Sequence, residues 1–300
     1  MKESPKGSIA AAVSFLMWGI LPIYWKSLGG VPALEILAHR IVWSLVVVGV
    51  YLTVRGRWLD VARGLKFPAG LLYIATALLI GGNWLLYVWS VNSGHIVESS
   101  LGFFINPLVN VLMGAIFLRE KLSRTQIFCF VLALAGVIIL GLDYGRIPWI
   151  ALGLAGLFGT YGLLRKISPA GSSTGLFYDM AVLSPFFIGY IIWTGLSGEG
   201  HFVAGDISKT LMLAGAGVVT AVPLLLFAYG ARKIKYSTLG FLQYIAPTGQ
   251  LLIGVLIYKE AFGTTHAVAF GLIWLALAIF TASNIRKYRR NRTAEALMKG

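Results

Sequence analysis

Three ionisable side chains, Glu35, His39 and Arg40, fall within six residues of one long apolar stretch. Glu35 and His39 are four residues apart and would share a helical face, whereas Arg40 would point about 100° away from His39. Histidine, with an ordinary pKa near 6.5, can carry a proton close to neutral pH. Arginine can bind an anionic group. Glu98, which opens another apolar stretch, would lie at the same end, so the group predicts proton linkage and anion binding.

The composition requires a membrane. Hydrophobic residues make up 58% of the 300 residues, charged residues only 12%, and the mean hydropathy is +0.81. Soluble domains are about 25% charged. The net charge is +14, but the basic residues lie in short loops and near the C-terminus, which favours membrane orientation over nucleic-acid binding. The single cysteine, Cys129, excludes an intramolecular disulfide.

No sequence motif for phosphate binding, metal ligation or nucleophilic catalysis is present. We therefore predict no enzyme activity, no catalytic residues, no cofactor and no metal site.

Ten apolar stretches are long enough to cross the hydrocarbon core, which takes roughly 20 helical residues. They are residues 8–27, 34–54, 70–91, 97–118, 124–141, 148–164, 174–194, 209–230, 238–258 and 264–284. If both termini are cytoplasmic, 20 of the 25 Lys and Arg residues lie inside and four outside, while Arg40 is the only one well within a span. This asymmetry predicts that orientation.

The chain contains an internal repeat at an offset of 140 residues. Pro107 and Glu120 correspond to Pro247 and Glu260. Each copy has five stretches, an odd number, so the second copy would be inverted relative to the first. We predict an all-α integral membrane protein with ten transmembrane helices in two inverted five-helix repeats. Residues 1–145 and 146–285 form the repeats, and residues 286–300 form a basic cytoplasmic tail.

Pro107 and Pro247 lie at matching positions of the fourth and ninth stretches. A proline frees a backbone carbonyl that must find a partner away from lipid, and paired helix breaks point to a binding site. The alternative is that each proline merely kinks its helix. Polar residues cluster around both positions: Asn106, Asn110, Gln243, Tyr244 and Gln250.

Two further observations suggest a solute pathway. Asp179 corresponds to His39 in the repeat, so inversion would place the two residues at opposite mouths of one pathway. Deep aromatic and amide side chains suit stacking and hydrogen bonding to an organic solute, although helix packing is an equal alternative. These are Trp18, Trp43, Asn83, Trp84 and Tyr87. Trp25, Trp58, Trp149 and Trp193 lie near span ends and are predicted to form an interfacial belt.

Arg40 and His39 also have structural interpretations. Arg40 could pair with Glu98 or Glu35 and hold two helices together, because an unpaired guanidinium within a span is costly. His39 could be an ordinary interfacial histidine. The sequence leaves these alternatives open.

Ten spans in two inverted halves resemble the drug/metabolite transporter superfamily, specifically its EamA type. Glu35–Ser44 (EILAHRIVWS), Asn83-Trp84 and His95–Gly114 (HIVESSLGFFINPLVNVLMG) are similar to the RarD branch of that type. The resemblance implies a multi-pass bacterial inner-membrane permease or exporter of small metabolites or drugs, with a central cavity between the halves.

We expect a secondary active transporter that moves a small organic solute across the lipid bilayer by alternating access, as a monomer or dimer, with protons as the candidate coupling ion. A passive channel or facilitator and a lipid-handling protein are the alternatives. The predicted substrate-binding residues are Trp18, His39, Arg40, Trp43, Asn83, Trp84, Tyr87, Asn106, Asn110, Asp179, Gln243 and Tyr244. The predicted coupling or gating residues are Glu35, His39, Glu98, Pro107 and Pro247.

Overall fold

The fold is known from a computed structural model, which describes residues 4–64, 69–92, 95–145, 147–203, 206–257 and 263–297. All regular secondary structure in these segments is helical, as expected where the backbone must satisfy its own hydrogen bonds in lipid. The helices are α1 (Pro5–Ser27), α2 (Ala33–Val54), α3 (Trp58–Gly64), α4 (Ala69–Asn92), α5 (Ile96–Ile116), α6 (Arg124–Tyr144), α7 (Trp149–Ile167), α8 (Ser172–Ser197), α9 (Ile207–Lys233), α10 (Tyr236–Gln243), α11 (Ile245–Leu256) and α12 (Thr264–Leu297).

Eight helices in the described part of the chain are long and apolar enough to cross a membrane: α1, α2, α4, α6, α7, α8, α9 and α12. Helix α5 contributes a shorter apolar segment, Leu101–Ile116. The chain is therefore a multi-pass membrane protein.

The two repeat-related prolines have different effects. Helix α5 continues through Pro107, so the predicted break there is not observed. The carbonyl of Pro107 packs against α10 so closely that a Cβ on Gly240 would lie 2.6 Å from it. In the second half, α10 ends at Gln243 and α11 begins at Ile245. Pro247 has no N–H to donate to the carbonyl of Gln243, which accounts for this interruption.

Local sequence signals set several helix ends. The sequence Ser123-x-x-Gln126 predicts a capping box, and the structure confirms it at the start of α6: the Gln126 N–H donates to Ser123 Oγ at 3.3 Å, and the Ser123 N–H donates to Gln126 Oε1 at 2.9 Å. Helix α3, in a predicted loop, was not anticipated. Helix α12 continues to Leu297, so much of the predicted tail is helical.

Helix packing follows a regular scheme. Helix α1 packs against α9 and α11, and α7 packs against α4 and α5. Helix α2 contacts α8 and α9, and α8 also contacts α4. The remaining large contacts join α5 to α10 and α6 to α12. The closest approach of α2 and α9 is at Gly217, where a Cβ would lie 2.4 Å from the backbone carbonyl carbon of Trp43.

A carboxylate joins the end of α5 to the start of α10. The chain reverses after α5 with Arg119 in the left-handed region, at a φ of 51°, which is uncommon for a residue other than glycine. Glu120 then accepts hydrogen bonds from the Tyr236 N–H at 2.7 Å, the Ser237 N–H at 2.9 Å and the Ser237 hydroxyl at 2.7 Å. This carboxylate therefore caps the N-terminus of α10.

Candidate functional site

Arg40 on α2 is the centre of one polar group. Its guanidinium carbon lies 4.7 Å from the centroid of the Trp25 ring and 4.8 Å from that of Trp84, distances at which aromatic rings attract a cation. Nε donates to Thr220 Oγ1 on α9 at 3.2 Å. Among the described side chains, no carboxylate lies within 4 Å of Arg40. The residue as a whole is partly exposed.

Trp25 was predicted to belong to the interfacial belt, but its contact with Arg40 makes it part of this polar group. Sequence reasoning missed this contact, because it joins the end of α1 to the first half of α2 and depends on how the two helices pack. The other predicted belt residues, Trp58, Trp149 and Trp193, are between 44% and 59% exposed, as belt residues facing lipid would be.

Glu35 does not pair with Arg40 in this conformation. Its side chain is 2% exposed and accepts hydrogen bonds from the His201 backbone N–H at 2.6 Å and from His201 Nδ1 at 2.9 Å. The alternative in which Glu35 holds Arg40 is therefore not observed. The side chain of Glu98 lies outside the described residues, so its pairing with Arg40 stays a hypothesis. Sequence reasoning missed His201 because its partner is 166 residues away.

His39 is buried beside Glu35. Its Nδ1 accepts a hydrogen bond from the indole N–H of Trp43 at 3.2 Å, and its ring lies 4.7 Å from the ring of Phe202. Because Nδ1 is an acceptor, the neutral imidazole carries its proton on Nε2. Nε2 is buried and has no hydrogen-bond partner among the described residues. Protonation of Nδ1 would remove the acceptor of the Trp43 indole N–H.

The remaining aromatic and amide predictions divide between packing and the Arg40 group. Trp18 lies in an aromatic cluster, 5.6 Å from Phe227 and 5.8 Å from Phe158. The Asn83 amide donates to the Leu154 carbonyl at 2.9 Å, which ties α4 to α7. Tyr87 lies within electrostatic range of Arg40. Trp84 and Tyr87 therefore join the Arg40 group, whereas Asn83 joins two helices.

A second polar group lies where α5 meets α10. The Asn110 amide donates to Gln243 Oε1, and both side chains are buried. The Oδ1 atoms of Asn106 and Asn110 and the hydroxyl of Tyr244 have no partner within the described part of the protein. Tyr244 packs in a hydrophobic cluster with Phe104, whereas Trp18 and Trp84 belong to a different cluster. The structure therefore places the predicted site residues in more than one group.

Asp179 on α8 forms a third group. Its carboxylate accepts hydrogen bonds from Thr76 Oγ1 at 2.5 Å and from the Tyr161 hydroxyl at 3.1 Å, and it lies 3.9 Å from Nε of Arg165. Arg165 was predicted to lie in a loop, but α7 extends to Ile167 and the side chain is 1% exposed. Arg165 is therefore a buried cation within a helix, in addition to the partly exposed Arg40.

An apolar groove of about 570 Å³ lies between α11 and α12, lined by residues such as Leu252, Trp274 and Leu277. None of the predicted site residues lines this groove. The polar groups described above, rather than the groove, carry the candidate chemistry.

Comparisons with known proteins agree with this fold. The EamA-like transporter family matches residues 5–142. The chain is 45% identical to the uncharacterized transporter YojE of Bacillus subtilis, over 97% of this chain and 98% of that protein. It is 42% identical to protein RarD of Salmonella typhi (96% and 99%) and 41% identical to protein RarD of Escherichia coli (96% and 98%). A crystal structure 21% identical in sequence has a TM-score of 0.73, over 92% of this chain and 97% of that one, which shows a shared fold.

The multi-pass helical fold and these relatives define the class as a membrane transporter. The chain belongs to the EamA-like transporter family and to its RarD branch, so the resemblance carried by Glu35–Ser44 and His95–Gly114 is confirmed. The prediction that the protein is not an enzyme is confirmed by this membership.

Proposed function

We propose that the protein is a secondary active transporter of small organic solutes that carry an anionic group, and that it works by alternating access in a bacterial inner membrane. The observation that carries the proposal is the environment of Arg40. The guanidinium lies against two indole rings, bonds to Thr220 and has no carboxylate within 4 Å among the described side chains.

The chemistry of this environment favours an anionic organic ligand. A guanidinium without a counter-ion is costly in a membrane protein, and a solute carboxylate or phosphate would offset that cost with two parallel hydrogen bonds. Trp25 and Trp84 lie close to the guanidinium carbon, and Nε bonds to Thr220, so the two terminal nitrogens are the donors that we propose bind the anion. Tyr87, 37% exposed, adds an aromatic surface for the organic part of the solute.

For the architecture we propose ten spans in two inverted repeats, residues 1–145 and 146–285, with α10 and α11 together forming the ninth span. The packing scheme supports this proposal, because the largest contacts between the halves occur in equivalent pairs. The contacts of α1 with α9 and α11 correspond to those of α7 with α4 and α5, and α2 with α9 corresponds to α8 with α4. Inverted repeats around a shared site are typical of secondary transporters.

Proton linkage is proposed from the contacts of His39. Its Nδ1 accepts from Trp43, whose backbone packs against Gly217, so a proton on Nδ1 would disturb the interface of α2 and α9. The neighbouring pair of Glu35 and His201 joins this interface to the segment after α8.

Flux measurements test the function and its coupling. Comparison of metabolites in medium and cells with and without the protein identifies the solute, and proteoliposomes then measure its counterflow. A gradient of one pH unit is worth about 1.4 kcal/mol, so we expect up to about tenfold accumulation by wild type if one proton moves with each solute. His39→Gln should keep counterflow and lose accumulation, whereas His266→Gln should keep both. Uptake without counterflow would indicate a channel, and a flux insensitive to pH gradients would contradict proton coupling.

The proposed orientation places both termini in the cytoplasm and can be tested by labelling. In a Cys129→Ser background, single cysteines at the exposed positions Ser27 and Ser197 should react with an impermeant thiol reagent added outside intact cells. Cysteines at the exposed positions Arg57 and Arg63 should react only after the membrane is permeabilised. Labelling of Arg57→Cys from outside would reverse the orientation.

A further inference from the structure

Arg165, in the last turn of α7, is buried but poorly paired. Nη2 donates to the Ser172 carbonyl at 3.1 Å, and Nε lies 3.9 Å from the Asp179 carboxylate, beyond hydrogen-bond distance. Nε and Nη1 have no hydrogen-bond partner within the described segments. Asp179 is meanwhile satisfied by Thr76 and Tyr161. The guanidinium therefore keeps unused donors that a stronger acceptor can take.

The guanidinium lies directly against the first turn of α8. A Cβ on Gly175 would be 1.7 Å from Nη1, so only glycine leaves room for the side chain. Ser173 and Thr174, in the same turn, are 4% and 1% exposed, and neither hydroxyl has a partner among the residues described. Helix α8 begins after Gly171 without a side-chain cap, so its first N–H groups and its positive dipole end add to the charge of Arg165.

A second arginine reinforces the positive potential at this helix start. Arg232 Nη1 donates to the carbonyls of Ser168 at 2.5 Å and Ala170 at 2.8 Å, just before α8 begins. The region therefore contains the components of an anion site: two guanidinium groups, an uncapped helix start and two hydroxyls without a partner among the described residues.

We propose that Arg165 and the first turn of α8 form a second anion-binding site, for a carboxylate or phosphate group, that Asp179 closes in this conformation. An incoming anion would bind Nε and Nη1 of Arg165 together with the hydroxyls of Ser173 and Thr174, and it would displace the weak contact with Asp179. The anion is either the anionic group of a soluble solute or the phosphate of a lipid headgroup.

The position of this site relates it to Arg40. Arg165 and Asp179 follow Trp25 and His39 by 140 residues. His39 directly precedes Arg40 in the chain, and the Trp25 ring lies 4.7 Å from the guanidinium carbon of Arg40. The placement of this site at the inner mouth of the pathway rests on the proposed function. The binding itself does not depend on transport.

Chemical rescue of a charge-unbalanced variant tests the site. Asp179→Asn leaves Arg165 without a counter-charge, so the melting temperature of the purified full-length protein should fall. Sodium acetate or sodium phosphate should restore the melting temperature, whereas sodium chloride at equal ionic strength should not. The half-effective concentration for Asp179→Asn should be about tenfold below that for stabilising wild type, a difference in binding free energy of about 1.4 kcal/mol. The double variant Asp179→Asn/Arg165→Gln should show no such restoration.

Controls separate a specific site from a general salt effect. Restoration equal in the single and double Asp179 variants, or none with either anion, would overturn the proposal. If Asp179→Asn does not fold, the proposal can be tested by comparing wild type with Ser173→Ala. Acetate or phosphate should stabilise wild type at a several-fold lower concentration than it stabilises Ser173→Ala, and equal responses of the two proteins would overturn the proposal.

Membrane composition distinguishes the two sources of the anion. Asp179→Asn in nanodiscs of phosphatidylglycerol, compared with a detergent that contains no phosphate, should regain the melting temperature of wild type in the same environment without added anion only if a lipid phosphate occupies the site. Recovery that requires soluble acetate or phosphate in both environments assigns the site to a soluble solute. None of these measurements requires flux, so a failed rescue leaves the transport proposal standing, and a failed transport assay leaves this site standing.

Discussion

Replacing Arg40 with lysine should raise the KM for the transported anion by about 10- to 100-fold, because a hydrogen bond to a charged group is worth about 1.5–3 kcal/mol. Lysine keeps the charge but loses the planar fork that binds a carboxylate or phosphate through two bonds. It also loses the flat faces that lie against Trp25 and Trp84. The melting temperature should stay close to that of wild type, since no carboxylate of the described side chains depends on Arg40. Flux in proteoliposomes and thermal unfolding of the same preparations give both values.

Arg55→Lys is a matched control. Arg55 lies at the other end of α2, is exposed, and also faces an aromatic ring, with its guanidinium carbon 5.8 Å from the centroid of Tyr51. The Arg55→Lys substitution should change neither the KM for the transported anion nor the melting temperature. A stable Arg40→Lys protein with an unchanged KM would contradict the role of Arg40 as a substrate anchor. A large loss of stability that is partly reversed by Glu98→Gln would instead favour the helix-joining alternative.

Gly217→Ala should prevent correct packing of α9 against α2. A new Cβ would lie 2.4 Å from the backbone carbonyl carbon of Trp43 and 2.5 Å from its Cβ, and neither atom can move without moving the helix. The cost should be about 3 kcal/mol or more, at the upper end for overpacked sites. Thermal unfolding in detergent should show a clearly lowered midpoint, and transport should be lost because His39 and Arg40 lie on the displaced helix.

Two other substitutions show whether the backbone contact is the cause. Gly189→Ala introduces a Cβ with nothing within 4 Å and should be neutral or slightly stabilising, since alanine favours a helix by about 0.5–1 kcal/mol. Ser44→Ala removes only the hydrogen bond from Ser44 Oγ to the Gly217 carbonyl, at 3.2 Å, and should cost about 1 kcal/mol. If Gly217→Ala behaves like Gly189→Ala, the close approach is not essential to the fold.

The sequence predicted the positions of the helices well because the bilayer imposes a simple rule: apolar stretches of sufficient length become helices. The capping box of Ser123 and Gln126 was equally accessible, because both partners lie within one turn. The break before Ile245 was predicted from Pro247, but Pro107 shows that a proline alone does not decide whether a helix is interrupted.

Contacts between residues that lie far apart in the sequence could not be predicted from such local rules. The residue that holds Glu35 is His201, which the chain brings back only through the packing of α8 and α9 against α2. The sequence predicts Arg165 in a loop, because a basic residue normally ends a span. Its burial depends on Gly175, whose lack of a side chain admits the guanidinium, and one glycine among 36 carries no visible sign of that role.

The carboxylate of Glu120 has a consequence for the order in which the protein is made. Its hydrogen-bond donors, Tyr236 and Ser237, lie 116 and 117 residues further along the chain. When α5 leaves the ribosome, the hydrogen-bond donors of the Glu120 carboxylate have not yet been synthesised. They become available only after α6, α7, α8 and α9 have been synthesised and inserted. The cap of α10 therefore forms only after residues 236 and 237 are made, and we expect the protein to mature as a single unit.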